Sequence, residues 1–250
     1  MSSDPLSGGT CGVCGHDGDY VKTEEPTREN YHCGRCRASL RYRMQADAIS
    51  ATYGRPGVPF AQLVEGTLSR LDIYEPGIIG AFRSFLSEVP GYVRSYYWEQ
   101  VAPGTQHKGV RCEDLRSLTF ADESFDLVIS SDIFEHVRGP LQAFAEIFRV
   151  LRVGGFHVFT VPLAWPLPGI TKARVDYSGP DDRFLEPPEY HGCPTDPAGS
   201  LVYTDFGMDL PEQLRELGFE TMTHHGYQNA ITFASRKTAS RNLDGGAARV

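Results

Sequence analysis

Phe125-Asp126-Leu127-Val128-Ile129-Ser130 decides the fold. Its apolar residues run on without polar alternation, and a strand apolar on both faces belongs in the middle of a parallel sheet covered by helices on both sides. Gly139-Pro140 follows as a helix start, with proline at the first helical position. Leu141, Phe144, Ala145, Phe148 and Leu151 then recur at helical spacing until Gly154-Gly155, which reads as the stop. The next strand is Phe156-His157-Val158-Phe159-Thr160-Val161. Upstream lie strands at Leu71-Asp72-Ile73-Tyr74, Tyr92 to Trp98 and Gly109 to Cys112, with a helix over Ala81 to Leu86. Downstream, Asp209 and Pro211 open a helix that Gly218 ends. The strands Phe219 to Thr223 and Ala230 to Ser235 then pair as a hairpin. This alternation predicts an α/β, Rossmann-like, doubly wound and mostly parallel sheet.

The chain has 250 residues, 40% of them hydrophobic and 22% charged. That gives room for one α/β domain with a small appendage and excludes disordered, collagen-like and disulfide-framed classes. No apolar run approaches the ~18 residues of a membrane span. Met1-Ser2-Ser3-Asp4-Pro5 carries an acid where a signal peptide is basic, so a cytoplasmic location is expected. Lys and Arg total 24 against 32 Asp and Glu, a net charge of -8 that disfavours electrostatic coating of nucleic acid.

Cys11-x2-Cys14 and Cys33-x2-Cys36 have the spacing of a zinc ribbon. Four thiolates complete a tetrahedron around Zn²⁺ and leave no position open for a reacting water, so the metal's expected role is structural. Disulfides and redox-active pairs are the alternatives, and a reducing compartment argues against disulfides. Arg35, Arg37, Arg41 and Arg43 form a basic stripe, read either as a solvated face or as a contact for phosphate, the one local route to nucleic acid. The expected division is a ribbon over residues 1–43, a connecting helix and linker over 44–60, the main domain over 61–235 and a tail over 236–250. Residues 1–9 read as a second tail.

In open parallel sheets the ligand lies beyond the carboxyl ends of the strands. Those ends are Glu75-Pro76-Gly77, Trp98-Glu99, Glu113-Asp114, Ser131-Asp132 and Pro162-Leu163. The run Leu118-Thr119-Phe120-Ala121-Asp122-Glu123-Ser124-Phe125-Asp126-Leu127-Val128, with Asp132-Ile133-Phe134-Glu135-His136-Val137 and Glu146 to Gly155, closely resembles class I S-adenosylmethionine-dependent methyltransferases. The resemblance implies a seven-stranded sheet ending in a reversed hairpin strand, and S-adenosylmethionine as cofactor. It places Glu75 to Gly80 as the acidic, glycine-rich cofactor loop, with Gly77 and Gly80 as its glycines and Pro76 and Ile78 interrupting the usual pattern. Asp114 matches the acid that contacts adenine, Leu115 lies beside it, Glu99 stands near the place of the ribose acid, and Ser131 ends the fourth strand. Asp132, Glu135 and His136 fall close to where the methyl would point, and His136 can act as a base near neutral pH.

Eight of the 17 prolines lie between Pro162 and Pro197, a density that excludes a regular helix and predicts an ordered lid over 162–205. Asp181 to Phe184, Tyr190-His191-Gly192 and Tyr203 to Phe206 are its substrate-side candidates, with His191 a candidate catalytic residue. The acceptor expected is a small hydroxylated metabolite or glycan precursor. The alternatives are a non-catalytic binding or scaffold protein with a decayed cofactor loop, and an RNA methyltransferase. The sequence does not speak to oligomeric state.

Overall fold

The computed structural model describes residues 6–238. Its main sheet has eight strands in the spatial order Phe219–His225, Ile231–Lys237, Leu151–Thr160, Phe125–Ser131, Ile73–Pro76, Tyr92–Tyr96, Val110–Cys112 and Gln106–His107. The five strands from Leu151–Thr160 to Val110–Cys112 run parallel. The C-terminal hairpin joins antiparallel to Leu151–Thr160, giving the reversed edge that was expected. Gln106–His107 is an eighth, antiparallel edge strand on Val110–Cys112.

Along the central strand the side chains alternate between two cores. Val128 packs with the helices Pro140–Val150 and Leu210–Leu217 on one face. Leu127 and Ile129 pack on the other with Leu40–Thr52, Phe60–Glu65 and Arg83–Leu86. The all-apolar run is therefore a strand buried on both faces, as its composition requires.

Several boundaries differ from the sequence reading. Gly154-Gly155 does not stop the helix, which ends at Val150; both glycines lie inside the strand Leu151–Thr160. There the register against the central strand shifts between Phe125 and Leu127. A Cβ on Gly155 would stand 2.9 Å from the carbonyl oxygens of both Asp126 and Arg152, so the bulge needs a residue without one. The helix expected over Ala81 to Leu86 is a single turn. The final strand runs through Lys237, whose buried ammonium donates to the Leu151 carbonyl at 2.7 Å, so the tail does not begin at 236. Residues 239–250, the rest of that expected tail, lie outside the described residues, as do residues 1–5 of the other.

The helix read as a connector over 44–60 starts at Leu40 and lies against the sheet. The ribbon also belongs to this body. Its strands Gly8–Thr10, Asp17–Val21 and His32–Cys33 form a three-stranded antiparallel sheet, so the segment read as a tail up to residue 9 is paired from Gly8. The N–H groups of Phe60 and Ala61 donate to the carbonyls of Gly12 and Val13 at 2.7 and 2.9 Å. Cys11, Val13, Cys33 and Ala38 share one apolar core with Leu127, Ile129 and Val158.

Gly155→Ala is expected to lower stability by about 1–3 kcal/mol through overpacking at the bulge. Gly192→Ala, whose added Cβ meets nothing within 4 Å, is expected to leave it unchanged; urea unfolding of both variants checks the contrast.

Candidate functional site

The four ribbon cysteines converge. Their sulfur atoms all lie within 4.8 Å of one another, with Cys11–Cys36 and Cys14–Cys33 both at 3.7 Å. A tetrahedron built on metal–sulfur bonds of about 2.3 Å has edges of about 3.75 Å, so the donors present fit Zn²⁺. The two knuckles are built alike. The N–H four residues on, Gly15 in one and Arg37 in the other, donates to the carbonyl of the first cysteine at 2.8 and 2.9 Å. Both of those residues are left-handed, at φ +72° and +63°. Glycine takes that conformation freely; Arg37 bears its strain. His32 is no ligand, because its ring nitrogens face Glu25 at 2.7 Å and the Arg37 carbonyl at 3.1 Å.

At the carboxyl edge of the main sheet, Glu75 is buried at the end of Ile73–Pro76 and accepts from the Tyr92 hydroxyl at 2.5 Å. Burial pushes its carboxyl up to about 7, against the pull of Tyr92, Arg83 and Arg94. Gly77 and Gly80 follow at φ +124° and +155°. A Cβ on Gly80 would come within 3.3 Å of the Glu75 carboxylate and 3.6 Å of the Tyr42 hydroxyl, so the turn is closely packed around the buried acid and its left-handed positions suit glycine. Ile79, next to the interrupting Ile78, is 68% exposed. Ser131 donates to Gln45 at 2.6 Å, and Gln45 in turn donates to the carbonyls of Ser130 and Val158 at 2.9 and 3.2 Å. Asp114 is held by Arg116 at 2.6 Å; burial raises its carboxyl, but that guanidinium and the Arg116 N–H outweigh it and keep it below the ordinary range. Leu115 is buried beside it, and Glu99 is exposed in the turn after Tyr92–Tyr96.

Asp132 was expected among the catalytic residues, and its surroundings correct that. Arg28 grips both of its oxygens at 2.6 and 3.0 Å, Arg41 stands 3.2 Å away, and Thr160 donates at 2.8 Å. Burial alone would raise its carboxyl, but Arg41 and Arg28 hold it far below the usual carboxylate range, so it stays ionised and is no proton acceptor at neutral pH. Its backbone is left-handed, at φ +52°, a conformation that the two arginines hold in place. Arg28 also donates to Glu29 at 3.0 Å, and Arg41 to Glu29 at 2.7 Å, closing a four-member ion cluster.

This cluster corrects the basic stripe as well. Arg41 is only 8% exposed, inside the cluster. Arg43 is 5% exposed, lies 3.5 Å over the Tyr20 ring and donates to the Tyr31 carbonyl. Of the four arginines only Arg35 and Arg37 face solvent.

His136 follows on the turn Phe134–His136, and its Nδ1 donates to the Leu201 carbonyl at 2.8 Å. Leu201 belongs to the lid, which is three short antiparallel ladders: Lys172–Ala173 with Thr204–Asp205, Val175–Asp176 with Arg183–Phe184, and Tyr190–His191 with Ser200–Leu201. The third ladder brings His191 edge-on to His136, ring centroids 5.0 Å apart, with the buried Glu135 beside both. Glu135 raises the proton affinity of His191 against the effect of burial. The lid is tied to the sheet by the Tyr203 N–H, which donates to the Glu135 carbonyl at 2.7 Å, and by Tyr96 to Thr195 at 2.9 Å. Sequence reasoning missed Arg28, Glu29 and Gln45, polar residues that read as exposed and meet their partners only across the fold.

A family model described as a methyltransferase domain matches residues 93–159. Malonyl-[acyl-carrier protein] O-methyltransferase from Marinomonas is 39% identical over 62 residues, 25% of this chain and 23% of that protein. An uncharacterized methyltransferase from Mycobacterium marinum is 42% identical over 67 residues, 25% and 26% of the two chains. The chain thus spans about a quarter of the length of these curated relatives. Among solved structures, an amino pentose methyltransferase from Micromonospora echinaspora with bound S-adenosylmethionine is 14% identical, covering 82% of this chain and 94% of its own at a TM-score of 0.49. The methyltransferase resemblance expected from the sequence is found by comparison over residues 93–159.

Arg28→Ala is expected to lower stability by about 3 kcal/mol, because it strips a partner from a largely buried carboxylate. Asp132→Asn should do the same, and the double variant should lose at least 1 kcal/mol less than the sum. Urea unfolding of the four proteins measures the coupling, and additive losses would contradict the ion cluster.

Proposed function

We propose that this chain, whose central segment matches the methyltransferase domain, is an S-adenosylmethionine-dependent methyltransferase acting on a small hydroxylated metabolite or glycan precursor. The observation that carries the reading is that the matched residues 93–159 supply strand ends beside which a buried acid and two left-handed glycines stand. Glu75, Gly77, Gly80, Asp114, Leu115 and Ser131 would hold the cofactor, with Glu99 outermost at the rim. When bound, S-adenosylmethionine supplies a methyl group on a positively charged sulfur, open to in-line displacement.

The chain's own work is then alignment, exclusion of water and removal of the acceptor's proton. The lid, fastened at Glu135 and Tyr96, covers the edge. Glu135, His136 and His191 are the ionisable groups that meet beneath it. Asp132 is a positioning residue, ionised and held by arginines. A small acceptor is favoured over RNA because two of the four candidate arginines are spent inside the fold and the net charge is -8. The four cysteines fit a closed structural Zn²⁺ site, whose reduced thiols suit a cytoplasmic location. Among the described residues no helix is long and apolar enough to cross a membrane.

Calorimetric titration with S-adenosylhomocysteine tests the reading. Micromolar binding, about -8 kcal/mol, is expected, weakened at least tenfold by Asp114→Ala. Glu75 keeps its proton up to about pH 7 in the folded chain, and only its ionised form accepts donors with both oxygens. Affinity should therefore rise between pH 6 and pH 8, and Glu75→Gln should flatten the rise. The same proton makes Glu75 a group whose contribution to stability declines as pH climbs from its ordinary value to about 7. Absence of binding at either pH would refute the proposal.

A further inference from the structure

We infer that Glu135, His136 and His191 form a second metal site, separate from the four cysteines, which binds one divalent first-row cation. Its open positions would take oxygen atoms of the methyl acceptor; that last clause rests on the methyltransferase reading, while cation binding does not.

The geometry is that of ligands arranged around a missing centre. Glu135 is 0% exposed, and neither of its carboxylate oxygens has a hydrogen-bond partner. An isolated buried carboxylate is among the costliest arrangements a fold can keep. Its Oε1 stands 3.4 Å from His136 Nε2 and 3.7 Å from His191 Nδ1. Both separations exceed the 2.7–3.2 Å of an ordinary N–H···O bond. Metal bonds of about 2.0–2.2 Å to nitrogen and oxygen put neighbouring ligand atoms of a tetrahedron about 3.3–3.6 Å apart, close to what is found. One ligand atom from each of the three residues falls within 4.8 Å of the others.

The far side of each ring points to the same conclusion. His136 donates its Nδ1 proton to the Leu201 carbonyl at 2.8 Å, which leaves the Nε2 lone pair facing Glu135. His191 has its Nε2 3.3 Å from Glu189 and its Nδ1 facing Glu135. A carbonyl or carboxylate on the outer nitrogen is the arrangement that fixes the tautomer of metal-binding histidines. Two ring nitrogens and a carboxylate directed at one point make a ligand set for a single cation. Asp132, three residues before Glu135, cannot join, because Arg28, Arg41 and Thr160 occupy its oxygens. Two imidazoles with one carboxylate suit Mn²⁺, Fe²⁺, Co²⁺ or Zn²⁺. Three protein ligands leave further positions free, whereas the four-cysteine cluster is closed. The lid carries His191, so the cation would also pin the lid to the turn after the central strand.

The test uses the full chain carrying one equivalent of zinc, titrated with Mn²⁺ and separately with Co²⁺. Bound Mn²⁺ is read from loss of the free-ion electron paramagnetic resonance signal, and Co²⁺ from its visible absorption, which distinguishes nitrogen and oxygen ligands from thiolates. One further equivalent of at least one cation should bind, with the zinc content unchanged. Glu135→Gln and His191→Ala should each weaken that binding at least tenfold. His191 is half-exposed on the lid, so its variant keeps the test valid should Glu135→Gln fail to fold. Absence of binding by both cations, or equal binding by His191→Ala, would overturn the inference. S-adenosylhomocysteine binding measured on the same samples separates the two readings: if it persists without a metal, only the metal site falls.

Discussion

Asp132 joins three parts of the chain that lie far apart in sequence. It sits at the end of the central strand, and it is gripped by Arg28 from between the cysteine knuckles and by Arg41 from the first turn of the helix that follows them. A carboxylate shared by two largely buried guanidiniums resists protonation and fixes their positions. The ribbon therefore cannot swing as a separate recruiting module: its place is set by a charge on the main sheet, and that charge is balanced only when the ribbon is in place. Gln45 adds a neutral version of the same device, satisfying two strand-end carbonyls and Ser131.

That constraint shapes the site. The helix Leu40–Thr52 is pressed over one side of the carboxyl edge, and the lid is fastened over the other through the backbone bond from Tyr203 to Glu135 and the bond from His136 to Leu201. What lies between has one buried acid at the glycine turn and another beneath two histidines. The first suits a ligand bearing hydrogen-bond donors. The second, with its two ring nitrogens, is the ligand set proposed for a cation.

Much of this was legible in the sequence. The central strand, the helix opened by Gly139-Pro140, the hairpin edge and the cysteine knuckles all announce themselves through local patterns: unbroken apolarity, a proline at the first helical position, and paired Cys-x2-Cys spacing. Gly154-Gly155 misled because paired glycines mark a helix end and a bulge with equal force, and only the carbonyls of Asp126 and Arg152 decide between them. The basic stripe misled for a different reason. Arginine in sequence looks solvated, yet Arg41 and Arg43 are buried because Asp132, Glu29, Tyr20 and Tyr31 wait for them across the fold. Asp132 was read as a catalytic candidate because Arg28, the partner that holds it ionised, lies 104 residues away and carries no local signal.

The claim that the ribbon and the sheet are one cooperative body is tested most directly by amide hydrogen exchange before and after a chelator strips the four-cysteine site. The account predicts that exchange rises in the ribbon and also along Phe125–Ser131 and around Asp132. Faster exchange confined to residues 6–39, with the central strand unchanged, would contradict it.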